Sequence, residues 1–129
     1  MILYHFCAAH MLPAIRKDGL TLGKYPLLGN PINEWPKCQW LTSNKDPRAQ
    51  SWATRRLVPY SRTAYRLTVN IPDSYHKKLL LATEYAMNLP ERDRLIVTEW
   101  PGSENWYVYL GKIPLKWIIG CKRMEKTAQ

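Results

Sequence analysis

Phenylalanine is almost missing from this chain, with one in 129 residues against six tryptophans and eight tyrosines. Trp and Tyr pair a large stacking surface with a polar tip, so the bias favours amphipathic pockets and wet interfaces over a dry core. Cysteine is scarce and scattered. Cys7, Cys38 and Cys121 form no disulfide framework and no Cys-x-x-Cys pair, which argues against a stapled secreted fold and against structural zinc. Cys7 and His10 lie close in sequence, but no second ligand pair stands at metal-site spacing, and the three histidines form none either, so no metal is expected. No apolar run approaches the roughly 18 residues of a membrane span. The longest, ending at Leu81-Ala82, stops at Thr83-Glu84. The first residues also lack the pattern of a secretory leader. A soluble, cytoplasmic protein without membrane contact is the expectation.

Chemical signatures are missing too. There is no Gly-x-Gly-x-x-Gly or Gly-x-x-x-x-Gly-Lys, which excludes dinucleotide-fold and P-loop readings, and no Gly-x-Ser-x-Gly elbow. Nothing in the spacing sets Cys7 beside His5 or His10 as a nucleophile and its base. Acidic residues run short as well, at ten against nineteen Lys and Arg, for a formal charge of +9. Between Lys45 and Arg66 stand six basic residues and one acid, Asp46, and between Lys112 and Lys126 five basic residues face only Glu125. A solvated surface and a polyanion-binding surface both account for such clusters.

What is present has the size of one domain, residues 1–129, large enough to bury a core. Residues 2–6 read as a buried strand. Met11, Leu12 and Ile15 have helical spacing, Pro13 confines the helix start to about His10 or Met11, and Gly19 stops it. Leu20 and Leu22 then return the chain to the core. Residues 24–37 are loop. A short strand spans Cys38 to Ser43, and an Arg-rich connection over 44–62 leaves room for a helical turn. Ala64 to Ile71 alternates, with Tyr65, Leu67, Val69 and Ile71 on one face. Tyr75 to Leu89 has a helical period ended by Pro90, Arg94 to Glu99 is β-branched and reads as a strand, and strands follow at Trp106 to Leu110 and Trp117 to Met124. Helices and strands segregate rather than alternate, so the fold class is α+β with a mostly antiparallel sheet and two or three short helices.

His5 interrupts an apolar strand, where an imidazole costs free energy unless it is hydrogen-bonded. Tyr4-His5-Phe6, the short helix with Leu12-Pro13-Ala14-Ile15, and then Asp18-Gly19-Leu20 resemble the opening of ADP-ribosyltransferase-like domains, in particular the DNA-modifying toxin branch and small bacterial and phage proteins. Trp40-Leu41-Thr42-Ser43 resembles that superfamily's second strand. Glu104 to Tyr109 followed by Ile113 to Ile118 is similar to the late strands of the poly(ADP-ribose) polymerase catalytic domain. The resemblance implies a split β-sheet and an NAD-dependent ADP-ribosyltransferase, a toxin or phage effector acting on nucleic acid or a nucleic-acid-associated protein. It also implies that His5 holds a ribose hydroxyl of NAD, with Tyr4, Thr42 and Ser43 beside it and Glu104 as the catalytic carboxylate. Tyr25, Trp52 or Tyr60, from the long loops, would supply a ring to stack on nicotinamide. Arg55, Arg56, Arg62 and Arg66 would neutralise acceptor phosphates. Cys7-Ala8 depart from the Thr or Ser that usually follow the phenylalanine, and Glu99 and Asn105 compete with Glu104 for the catalytic place. The alternative is a non-catalytic binding protein, a phage-type inhibitor that uses the same basic surface.

Overall fold

A computed structural model describes residues 1–50, 52 and 59–124. Strand β1, Ile2–Cys7, leads through a 3-10 turn at Ala9–Met11 into helix α1, Leu12–Asp18. Pro13 sits in the first turn of α1, where no N–H is needed, and Leu12 and Ile15 bury the inner side. Gly19 ends the helix at φ +78°, its N–H bonded to the Ile15 carbonyl at 2.8 Å. A Cβ there would lie 2.2 Å from the Ile113 carbonyl oxygen, so only glycine lets Leu20 and Ile113 exchange their two backbone hydrogen bonds of 2.9 Å. Leu20 is buried, but Leu22 is not. Gly23 is held to Cys38 and to the Gln39 side chain, which leaves Leu22 on the outer side of the span with 69% of its surface exposed.

The remaining strands are β2 (Gln39–Thr42), β3 (Tyr65–Asn70), β4 (Leu79–Leu81), β5 (Trp106–Tyr109) and β6 (Ile118–Arg123). They form one antiparallel sheet in the order β4-β5-β2-β1-β3-β6. The pairing is uneven. β1 and β3 match over six residue pairs and β2 and β5 over four, but β1 and β2 meet at the single pair Tyr4 and Thr42. Two three-stranded halves therefore join along one thin seam. The alternation expected for β3 is present, with Leu67, Val69 and Ile71 all buried. They join Leu3, Leu12, Ile15 and Leu41 in a core beneath α1. On the opposite face Trp106, Val108 and Tyr25 pack with Ala82, Ala86 and Val97 in a second core. The result is a single small α+β domain with short helices.

Two expected elements are replaced. The helix expected over Tyr75 to Leu89 is instead a 3-10 segment, Asp73–Lys78, then β4, then a five-residue helix α2, Ala82–Ala86. Leu79, Leu80 and Leu81 pair with Tyr109, Val108 and Tyr107 of β5, and this sheet edge outweighs a helical period that is real only at Ala82 and Ala86. The strand expected over Arg94 to Glu99 is helix α3, Glu91–Thr98. Pro90, read as a stop, is its start: its carbonyl accepts from Asp93 N at 2.9 Å and Arg94 N at 3.2 Å, while Glu91 and Asp93 complement the helix dipole. The Thr98 hydroxyl donates to the Arg94 carbonyl at 3.0 Å, which accommodates a β-branched end in the helix. The final run of three strands thus reduces to β5 and β6.

Candidate functional site

The seam between β1 and β2 is bridged by a side chain. His5 Nδ1 lies 2.7 Å from the Trp40 carbonyl oxygen. A carbonyl only accepts, so Nδ1 carries the proton and donates, which leaves Nε2 as a lone-pair acceptor in the neutral ring. Burial pushes the His5 pKa below its ordinary 6.5, against the opposing pull of the Trp40 hydrogen bond. His5 is thus a neutral acceptor at physiological pH. It has a sign for stability: once unfolded, the ring takes a proton below about pH 6.5, while the folded ring resists it. Thermal stability is expected to fall as pH drops below that value, and the fall should be shallower in His5→Gln. Equal slopes from pH 7.5 to 5 in the two proteins would contradict the assignment.

Where the halves part, a cavity of about 450 Å³ opens against the seam. Its floor is the sheet: Tyr4 and Phe6 of β1, Trp40 and Thr42 of β2, and Trp106 of β5. Strand alternation places these five on one face, with His5 and Leu41 reaching the cavity from the seam itself. Trp52, Trp100 and Pro26 form walls. Trp40 stands edge-on to Trp106 at 6.1 Å between centroids and stacks on Tyr25 at 5.2 Å. An adjoining cavity of about 320 Å³ shares His5, Phe6, Trp40, Trp52 and Arg62 with the first and continues to His10 and Tyr60, whose rings meet edge-to-face at 4.5 Å. Arg62 donates to the Trp52 carbonyl and sets its guanidinium 5.4 Å from the Trp52 ring centroid, at the junction of the two.

Polar side chains fix the walls rather than line an empty shell. Gln50, 1% exposed, donates to the carbonyls of Asn44 and Asp46 at 3.1 and 3.0 Å and accepts from Trp52 Nε1 at 3.3 Å. Thr42 Oγ1 accepts from Asn44 N at 3.1 Å, and Asn44 Oδ1 from Asp46 N at 3.0 Å, so successive side-chain turns order the exit from β2. Asp46 in turn accepts from Arg48 at its backbone and guanidinium, which holds its carboxyl below the usual range. On the other wall, buried Asp93 accepts from Leu28 N at 2.9 Å and ties the Pro26 loop to α3.

Of the residues singled out in the sequence, Tyr4, His5, Thr42 and Trp52 come together around the cavity, and Arg62 lies at its junction with the second. Tyr25 does not line it. It is fully buried behind Trp40, its hydroxyl reaches the Asp93 carbonyl at 3.4 Å, and burial raises its pKa to about 12. Tyr60 borders the second cavity. Ser43 points to β5, donating from its backbone to the Asn105 carbonyl at 3.0 Å and from its hydroxyl to Asn105 Oδ1 at 3.3 Å. Glu104 is exposed in the 3-10 turn Ser103–Asn105 that leads into β5. Glu99 is exposed just after α3. Among the described residues no carboxylate lines either cavity. Arg66 packs over the Tyr4 ring at 5.2 Å and donates to the Lys45 carbonyl at 3.0 Å, and its buried Nε–H has no acceptor among the described residues. Arg55 and Arg56 lie outside the described residues. Burial lifts the Cys7 thiol to about 11 and the Cys38 thiol to about 12, so neither is an activated nucleophile at neutral pH.

Sequence reasoning missed Trp40, Trp100, Trp106 and Gln50 as parts of the site. The signal was the tryptophan excess itself, since four of the six tryptophans surround this cavity. Among the described residues no helix is long and apolar enough to cross a membrane. No protein-family model, curated protein or solved structure matches the chain.

Proposed function

We propose that the protein binds NAD in the cavity at the β1–β2 seam and transfers ADP-ribose from it to nucleic acid or a nucleic-acid-associated protein. The observation that carries this reading is His5, a neutral imidazole whose Nδ1 is anchored to β2 and whose Nε2 is left to accept a hydrogen bond from a ribose hydroxyl. Support comes from the order of the strands. β1 with His5, β2 with Thr42 and β5 with Glu104 at its head are neighbours in the sheet, though far apart in sequence. The tryptophan-lined floor suits a nicotinamide ring, and the volume falls in the range of small-ligand sites.

In this reaction the bond from the ribose C1 carbon to the nicotinamide nitrogen breaks, and nicotinamide leaves with the electron pair. The acceptor attacks the same carbon and gives up its proton. Positive charge develops on the sugar in between, as in glycoside hydrolysis. His5 orients the ribose, the aromatic floor holds the leaving ring, and the carboxylate of Glu104, exposed in the turn that leads into β5, is the group assigned to stabilise the charge and position the neighbouring hydroxyl. The work would be done in the cytoplasm, where NAD is supplied, as expected of a toxin or phage effector.

A second reading, nucleotide binding without transfer, is favoured by the lack of a carboxylate among the described cavity-lining residues. Nicotinamide release separates the two. The transferase releases nicotinamide from NAD, faster with nucleic acid or cell lysate as acceptor. Saturable NAD binding with no release under any acceptor would leave the non-catalytic reading.

A further inference from the structure

Three segments converge at the end of the sheet where β1 and β6 begin and β3 ends. The 3-10 segment Asp73–Lys78 joins it through Tyr75, whose ring centroid lies 4.7 Å from that of Trp117, and through the Lys78 carbonyl, which accepts from Leu110 N at 2.8 Å. The 3-10 turn Leu115–Trp117 lies against the end of α1, where Gly19 meets Leu115. β6 then starts with an irregularity. Ile118 pairs with Val69 and Gly120 with Thr68, so Ile119 has no opposite residue in the ladder. The result is an apolar surface: Tyr75 is 45%, Leu115 44% and Ile119 59% exposed, on the base of Trp117, which is buried edge-on against Tyr109.

Lysines surround these side chains. Lys77 and Lys78 follow Tyr75, and Lys112 and Lys116 flank Ile113 to Leu115. All four are exposed, and none is in an ion pair among the described residues. Asp73, 3.6 Å from His76, is the one carboxylate within these segments, and Arg16, Lys17 and Asp18 of α1 border them. The residues adjoining the undescribed ones lie elsewhere. Trp52 lines the cavities with Phe6, near the end of β1, and Met124 N donates to the Ala64 carbonyl at the opposite end of β3.

We infer that this end of the sheet docks on an anionic lipid surface, with Tyr75, Leu115 and Ile119 entering the headgroup layer and the four lysines meeting lipid phosphates and carboxylates. Charge complementarity selects an anionic partner, and the apolar side chains narrow the choice. A hydrated polyanion gives Leu115 and Ile119 nothing to contact, whereas a lipid interface takes both the apolar and the charged groups. Lysine is depleted from protein–protein interfaces and arginine enriched, and no arginine stands among the four cations. A second copy packed on the same patch would set lysines against lysines. Tyr75 presents an apolar ring and a polar tip, the combination enriched at membrane–water boundaries. The expectation of no membrane contact came from the lack of long apolar runs, which bears on spanning and not on a surface contact. The inference is independent of the NAD reading, since none of these residues lines either cavity.

The test is co-sedimentation of the full chain with vesicles of phosphatidylcholine alone and with vesicles containing about one-third phosphatidylserine. Binding to the anionic vesicles is expected to be at least about ten-fold tighter and to weaken as salt rises. Lys78→Glu and Lys116→Glu are each expected to weaken it about ten-fold. Lys45→Glu makes the same charge change at the other end of β1, where Arg66, the partner of Phe6, donates to the Lys45 carbonyl, and is expected to weaken it much less. Ile119→Ser, outside both cores, is expected to weaken it about three-fold without changing the salt dependence. A melting curve for each variant separates lost binding from lost fold. No binding, equal binding to both vesicle types, or equal losses in the three lysine variants would overturn the inference. So would binding of polyglutamate or duplex DNA through the same lysines in place of vesicles, or a dimer in solution that Ile119→Ser dissolves.

Discussion

Glu104→Gln is expected to lower nicotinamide release about a hundred-fold or more, the usual cost of removing a group aimed at developing transition-state charge, while leaving NAD affinity and the melting temperature nearly unchanged. The last two follow from where Glu104 sits. It is exposed, in a 3-10 turn entered through Gly102 at φ +86°, and neither core contains it. Exposed substitutions of that kind shift stability by about 0.5 kcal/mol or less. The turn itself is firmly placed, since Asn105 is hydrogen-bonded to Ser43 at the exit of β2. Glu104 thus stands at the end of the strand whose Trp106 pairs with Thr42 in the cavity floor. Glu99→Gln is the companion, because Glu99 is the rival carboxylate. If release falls with Glu99→Gln and not with Glu104→Gln, the roles are exchanged. If neither variant affects a measurable release, a carboxylate mechanism is wrong for this protein.

Trp106→Ala is expected to destabilise the fold by about 3–5 kcal/mol, as for other buried large-to-small changes, measured by urea denaturation. Trp106 is 8% exposed, contacts Trp40 edge-on and Trp100 at 6.5 Å, and belongs to the second core with Val108 and Tyr25. It also forms part of the cavity floor. Its removal should therefore cost stability and NAD binding together, whereas Trp52→Ala, in the wall and half-buried, should lower binding with a smaller loss of stability. A stability loss below about 1 kcal/mol for Trp106→Ala would mean the second core is packed differently.

Much of this could be read from residue order because the signals were local. The alternation of Leu67, Val69 and Ile71, the proline in the first turn of α1 and the glycine after it each act within a few residues. The errors came where distant contacts decide. Leu79 shares a helical period with Ala82, Ala86 and Leu89, yet Leu79, Leu80 and Leu81 pair with Tyr109, Val108 and Tyr107 of the distant strand β5. Pro90 ends one pattern and starts another, and only the acids after it favour the second reading. At the site, His5 was legible as a polar break in an apolar strand. Its anchor was not, because the Trp40 carbonyl is a backbone group that any residue would supply. The tryptophan excess pointed to an aromatic-lined cleft, but the seam that gathers Trp40, Trp52, Trp100 and Trp106 exists only once β1 and β2 are set side by side. Tyr25 shows the converse. A loop tyrosine looked available for stacking on a ligand, and it is instead the buried support of Trp40.

The most direct measurement is a titration of NAD into the wild-type protein and into His5→Ala, following tryptophan fluorescence for binding and released nicotinamide for turnover. Four tryptophans surround the cavity, so occupancy should change the emission. The wild type is expected to bind saturably and to release nicotinamide, and His5→Ala, folded by its melting curve, to lose at least about ten-fold in affinity through the missing ribose hydrogen bond. Absence of NAD binding by the wild type, or equal binding by a folded His5→Ala, would contradict the assignment of the seam as an NAD site.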